Sequence, residues 1–211
     1  MSQFKIGTFH FKALCKRFRQ GMIAVMTDFH SEFTLILGGA RSGKSTYAQL
    51  LAEEHGGRVL YVATAEAGDE EMAERIAVHQ ASRPKNWRTL EAPVNVGERI
   101  LEVDGEIKAE LVLLDCITLL TSNLIVALPE NEMFSLAQTA VKREMDGLIK
   151  AYEALCIPWI VVSNEVGLDL VPAYPLGRIY RDVLGWANQY LASRASRVIF
   201  MIAGIPMKIK V

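Results

Sequence analysis

The stretch TLILGGARSGKST, Thr34 to Thr46, constrains the fold of this chain more than any other. A short apolar run reads as a buried strand, a glycine-rich turn follows it, and good helix formers come next. Gly38, four residues, Gly43, Lys44 and Ser45 satisfy G-x-x-x-x-G-K-[ST] without a mismatch. Glycines let the backbone curl until its N–H groups point inward at phosphate oxygens. Lys44 then reaches the outer phosphates, and the Ser45 hydroxyl ligates Mg2+. The helix that opens near Lys44 adds its positive end to the anion site. Gly38, Gly39, Ala40, Arg41, Ser42, Gly43, Lys44 and Ser45 are therefore expected to bind a nucleoside triphosphate, with Lys44 acting in the chemistry itself. A chance match is the alternative, but strand and helix supply the context the motif requires.

From Thr34 onward, apolar runs alternate with helical patterns. TLILGG (34–39), RVLYVAT (58–64), LVLLDC (111–116), WIVVSNE (159–165) and RVIFMIAG (197–204) read as strands. Continuous apolar runs of this length belong to a sheet covered on both faces, hence a parallel one. RTLEAP (88–93) is a weaker strand, and MKIK (207–210) is expected to add a terminal edge strand. Helices are expected at about 44–55, 69–82, 95–103, 133–155 and 175–195, with a mobile loop at 127–132. The alternation predicts an α/β chain, a P-loop NTPase (RecA-like) three-layer fold with a mostly parallel central sheet. Ligands of such sheets gather at the carboxyl ends of the strands. One domain is expected over 34–211, after an N-terminal extension at 1–33.

That extension is basic and poor in acids, with Lys5, Lys12, Lys16, Arg17 and Arg19 before its first acid, Asp28. A transit-type segment fits this composition. A poorly ordered extension, or a true start at Met22 or Met26, is the preferred interpretation. Across all 211 residues, 51% are hydrophobic and 22% charged, which argues against global disorder. The net charge of -1 offers no general attraction to nucleic acid or anionic membrane, so phosphate binding must be local. No apolar run approaches the roughly 18 residues of a membrane span. Three cysteines at wide spacing make neither a disulfide framework nor a zinc site, and reduced thiols in the cytoplasm are the expectation.

A P-loop of this kind wants an acid at the tip of a neighbouring strand. Asp115 ends the run ELVLLD and is placed to hold Mg2+ or its water, unless it merely caps the next turn. Asn164 and Glu165 end another strand at the same rim, where substrate contact and loop-stabilising hydrogen bonds are equally open. The N/TKxD pattern of signalling GTPases is missing, and the size suits a small-molecule kinase. One histidine stands out. Met72, Ile76 and His79 share one helical face, which fits a packing residue. Arg75 and Arg83 flank His79 at helical spacing, however. Two permanent cations disfavour imidazolium and would grip phosphate oxygens, leaving a neutral imidazole able to attack phosphorus. Pattern alone leaves both roles open.

The segments GGARSGKS, LYVATAEAGDEEMAERIAVHQASRP, WRTLEAP, LLDCIT, VSNEVGLDLVP and GIPMKIK together resemble the bifunctional adenosylcobinamide kinase / adenosylcobinamide-phosphate guanylyltransferase family of cobalamin biosynthesis. R-I-x-x-H-x-x-x-R-P and S-N-E-V-G are far more particular than the P-loop. The resemblance covers Thr34 to Lys210. It implies phosphorylation of the aminopropanol hydroxyl of adenosylcobinamide by ATP or GTP, then transfer of GMP from GTP through a guanylylated histidine. His79 stands at that position. The resemblance further implies nucleotide contacts from Thr64, Ala65, Glu66, Gln80, Ala81, Ser82, Arg83, Glu91 and Asp115, and a homotrimer. A plain small-molecule kinase and a regulatory nucleotide-binding module are the rival functions.

Overall fold

The computed structural model describes residues 32–66, 83–129, 133–168 and 170–211. In chain order these form β1 (Phe33–Gly38), α1 (Lys44–His55), β2 (Val59–Ala63), β3 (Arg88–Glu91), α2 (Val96–Ile107), β4 (Leu111–Asp115), α3 (Ile117–Val126), α4 (Met133–Leu155), β5 (Trp159–Val162), α5 (Pro175–Arg194), β6 (Arg197–Ile202) and β7 (Ile205–Lys210). The helix expected at 69–82 and part of the loop expected at 127–132 lie outside the described residues.

Among the described residues, one sheet runs β3-β2-β4-β5-β1-β6-β7. Every neighbouring pair is parallel except β6 and β7. The expected mostly parallel sheet is therefore present, closed at one edge by an antiparallel hairpin. Its inner strands are largely apolar because both faces are covered, whereas the edge strands β3 and β7 are mostly exposed. Along β4, Val112 and Leu114 join one core cluster while Leu111 and Leu113 join the other. The first cluster gathers α2, α3, α4 and α5, and the second takes Ala48 and Ala52 of α1. These are the three expected layers.

Local chemistry explains the helices. On α4, Ala137, Val141, Met145 and Leu148 recur every three or four residues and are all buried, which gives the stripe that packs on the sheet. On α5, Pro175 opens the first turn, where its missing N–H costs nothing. Glu144 of α4 accepts N–H bonds from Asn95 and Val96 at 3.0 and 2.6 Å, so a carboxylate from one helix caps the start of α2. Burial pushes that carboxyl above its ordinary range, against the pull of these two bonds.

Four details differ from expectation. Helix α3 was not expected: ITLLTSNLIV has poor helix formers and no polar face, because it is wedged between α4, α5 and β5. Strand β4 stops at Asp115, and Cys116 already flanks α3. Strand β5 stops at Val162, although Ser163 and Glu165 still donate N–H bonds to Ile36 and Gly38 of β1, at 3.0 Å each. Cys116 carries a free thiol as expected, whereas Cys156 is disulfide-bonded.

Helices α2 and α4 cross where Gly97 faces Gly147. A β-carbon on Gly97 would collide with the Gly147 carbonyl, and backbone cannot swing aside as a side chain can. Gly97→Ala should destabilise the protein by about 2 kcal/mol, read as a lowered denaturant midpoint with unchanged slope. An unchanged midpoint would show that the crossing is looser than this packing.

Candidate nucleotide site

Gly38, the last residue of β1, has φ 151°, and the loop leaves the sheet there. A β-carbon at Gly38 would lie 2.6 Å from the Met201 carbonyl and 2.7 Å from Ser42 Oγ, so no side chain fits. Gly43, with φ 91°, is the N-cap of α1. Arg41 is also left-handed, with φ 56°, an uncommon state for a residue with a side chain. Two neighbours pin this loop from outside. Glu165 N–H donates to Gly38 O, and Gly204 N–H donates to Ser42 O, both at 3.0 Å.

The loop is prepared for an anion. Helix α1 has no side-chain cap and no acid in its first turn, so its positive end is uncompensated. Ser42 Oγ is buried without a hydrogen-bond partner. Lys44 is only 7% exposed and donates Nζ to Gly39 O at 2.6 Å. Burial lowers its pKa, partly offset by the nearby Cys116 and Asp115. An arriving phosphate would replace that carbonyl with a full opposite charge.

Asp115 ends β4 in register with Ala63 of β2 and Val162 of β5. Its Oδ2 accepts the Tyr61 hydroxyl at 2.9 Å. Strands lie about 4.8 Å apart, so the order β4-β5-β1 sets Asp115 about 10 Å from β1 along the rim. Ser45 and Asp115 are hard oxygen donors, and Mg2+ takes one or two such protein ligands beside phosphates and water. Among the described residues no group of three or more His, Cys, Asp or Glu gathers as a protein-only metal cage would need. The donor set fits Mg2+.

The other expected residues spread along the same rim. Thr64 is fully buried, and its hydroxyl is committed: it donates to Cys116 O at 2.7 Å and accepts Cys116 N–H at 2.8 Å. Its carbonyl accepts Asn123 Nδ2 at 2.8 Å. Thr64 thus shapes the turn that presents Ala65 and the exposed Glu66. Arg83 places its guanidinium 3.7 Å above the Tyr61 ring. Glu91 ends the edge strand β3, four strand spacings or about 19 Å from β1. The rim therefore has a phosphate end at β1 and a distant end at β3, with Asp115 between. Asn164 and Glu165 serve the loop: Asn164 N–H donates to Thr118 Oγ1 at 2.7 Å, and Glu165 Oε1 accepts Gly167 N–H at 2.6 Å. His79, Gln80, Ala81 and Ser82 lie outside the described residues. Tyr61 and Thr118 escaped the sequence because each sits among apolar residues that read as core, and Asn123 because its partners, Thr64 and Pro93, are far away along the chain.

A loop of this geometry, ending a buried parallel strand with a carboxylate at the tip of the next strand but one rather than of the adjacent strand expected, defines a P-loop nucleotide-binding enzyme. The comparisons with known proteins narrow that class. The family model described as cobinamide kinase / cobinamide phosphate guanyltransferase matches residues 34–209. The bifunctional adenosylcobalamin biosynthesis protein CobP of Pseudomonas aeruginosa is 44% identical over 176 residues, covering 83% of this chain and 96% of that protein. CobU of Escherichia coli, a bifunctional adenosylcobalamin biosynthesis protein, is 38% identical over 182 residues, covering 83% and 98%. CobU of Salmonella typhimurium, which carries the same description, is 39% identical over 186 residues with the same coverage. The chain belongs to the cobinamide kinase / cobinamide phosphate guanyltransferase family.

Lys44→Ala should weaken nucleoside triphosphate binding at least tenfold, about the worth of one charge-assisted contact, as measured by calorimetry. Unchanged affinity would remove Lys44 from the phosphate site.

Proposed function

We propose that this enzyme phosphorylates adenosylcobinamide and then guanylylates the product through a covalent intermediate on His79. In the first step the aminopropanol hydroxyl attacks the γ-phosphorus of ATP or GTP. The new O–P bond forms as the bond to the diphosphate breaks. This chemistry depends on positioning and charge more than on covalent help. Gly38 to Lys44 hold the phosphates, and Lys44 follows the transferred group. Ser45 and Asp115 would hold Mg2+, which when bound neutralises charge on the phosphates.

In the second step a neutral His79 nitrogen attacks the α-phosphorus of GTP, and pyrophosphate leaves. An oxygen of adenosylcobinamide phosphate then attacks the phosphoramidate. The P–N bond breaks, the imidazole is restored, and adenosylcobinamide-GDP departs. Arg83, with Gln80, Ala81 and Ser82, would seat that nucleotide, and Ala65 and Glu66, on the turn that Thr64 shapes, would meet its guanosine end with Glu91. The observation that carries this reading is the family match across 34–209, which includes the whole R-I-x-x-H-x-x-x-R-P segment. We place the enzyme in the cytoplasm, and no helix among the described residues is long and apolar enough to cross a membrane. A homotrimer is proposed on family resemblance.

Intact-mass spectrometry after incubation with GTP should find one added GMP per chain, on His79. His79→Ala should lose the adduct and all guanylyl transfer while still phosphorylating adenosylcobinamide. A variant that keeps full transfer would exclude His79 as the nucleophile.

A further inference from the structure

Tyr61 interrupts an otherwise aliphatic strand, VLYVA, and is 2% exposed. Phenylalanine would fill the same volume, so the hydroxyl calls for a separate explanation. That hydroxyl donates to Asp115 Oδ2 at 2.9 Å. The ring stacks on Trp87 at 6.3 Å between centroids and carries the Arg83 guanidinium at 3.7 Å. Arg83 Nε is buried without a hydrogen-bond partner, and its Nη1 reaches Thr89 Oγ1 at 3.4 Å. Parallel register sets Thr89 directly beside Tyr61, so β2 and β3 together form the platform under Arg83.

We propose that Tyr61 is a positioning residue shared by both half-reactions, fixing the Asp115 carboxylate through its hydroxyl and the Arg83 guanidinium through its ring face. This rests on the function proposed above. Arg83 lies four residues after His79 in the sequence. One side chain thereby links the kinase carboxylate to the arginine of guanylyl transfer.

Two substitutions separate its two contacts. Tyr61→Phe removes only the bond to Asp115. The gain in ADP affinity on adding Mg2+, measured by calorimetry, should fall about fivefold. Labelling by GTP carrying a labelled α-phosphate should fall less in Tyr61→Phe than in Tyr61→Leu, because the platform under Arg83 remains. Tyr61→Leu also removes the platform, and the KM for GTP in labelling should rise about fivefold or more. An unchanged Mg2+ gain in Tyr61→Phe overturns the inference, as does a labelling loss in Tyr61→Phe equal to that in Tyr61→Leu. Should the leucine variant fail to fold, the phenylalanine variant alone decides. If the unaltered protein takes no label, the guanylyl reading fails and the Arg83 link with it. If it is labelled and both variants match it, the Tyr61 inference alone fails.

Discussion

Everything at the rim depends on a residue without a side chain meeting a carbonyl. Gly38 sits against Met201 O and Ser42 Oγ, and only that close approach lets β1 turn into the phosphate loop instead of running on. Bonds from Glu165 and Gly204 then hold the loop from both sides. The first follows β5 and the second follows β6, and β5 and β6 are the two strands that flank β1. The loop is thus built in advance, and little ordering remains to oppose nucleotide binding.

The same arrangement sets the electrostatics. A desolvated Lys44, an uncapped α1 and an unpartnered Ser42 hydroxyl all favour an anion, while Asp115 ends a strand two places from β1. The Asp115 charge only partly offsets the burial of Lys44. Register lines up Glu91, Ala63, Asp115 and Val162 across the sheet. One edge therefore offers subsites far enough apart for both ends of a nucleotide.

Much of this was legible in the sequence, for identifiable reasons. Strands buried on both faces leave unbroken apolar runs, so β1, β2, β4, β5 and β6 were readable within a few residues. The bounds of α4 match its apolar stripe, and α1 follows the P-loop that opens it. Helix α3 was hidden because its apolar residues are not confined to one face, which leaves little helical period to read. The P-loop was legible since its backbone geometry demands glycine at fixed positions. Tyr61 and Asn123 were not, because their roles come from tertiary neighbours 54 and 59 residues away along the chain. Thr64 was marked by family resemblance as a nucleotide contact, whereas its hydroxyl is spent on the Cys116 backbone.

The central claim is that a guanine nucleotide lies along this rim with its outer phosphates in the Gly38–Ser45 loop. A crystal structure with a non-hydrolysable GTP analogue and Mg2+ tests it most directly. The account predicts β- and γ-phosphates bonded to the loop N–H groups and Lys44, with Ser45 and Asp115 facing the metal. Phosphates bound away from that loop, with Lys44 still on Gly39 O, would contradict it.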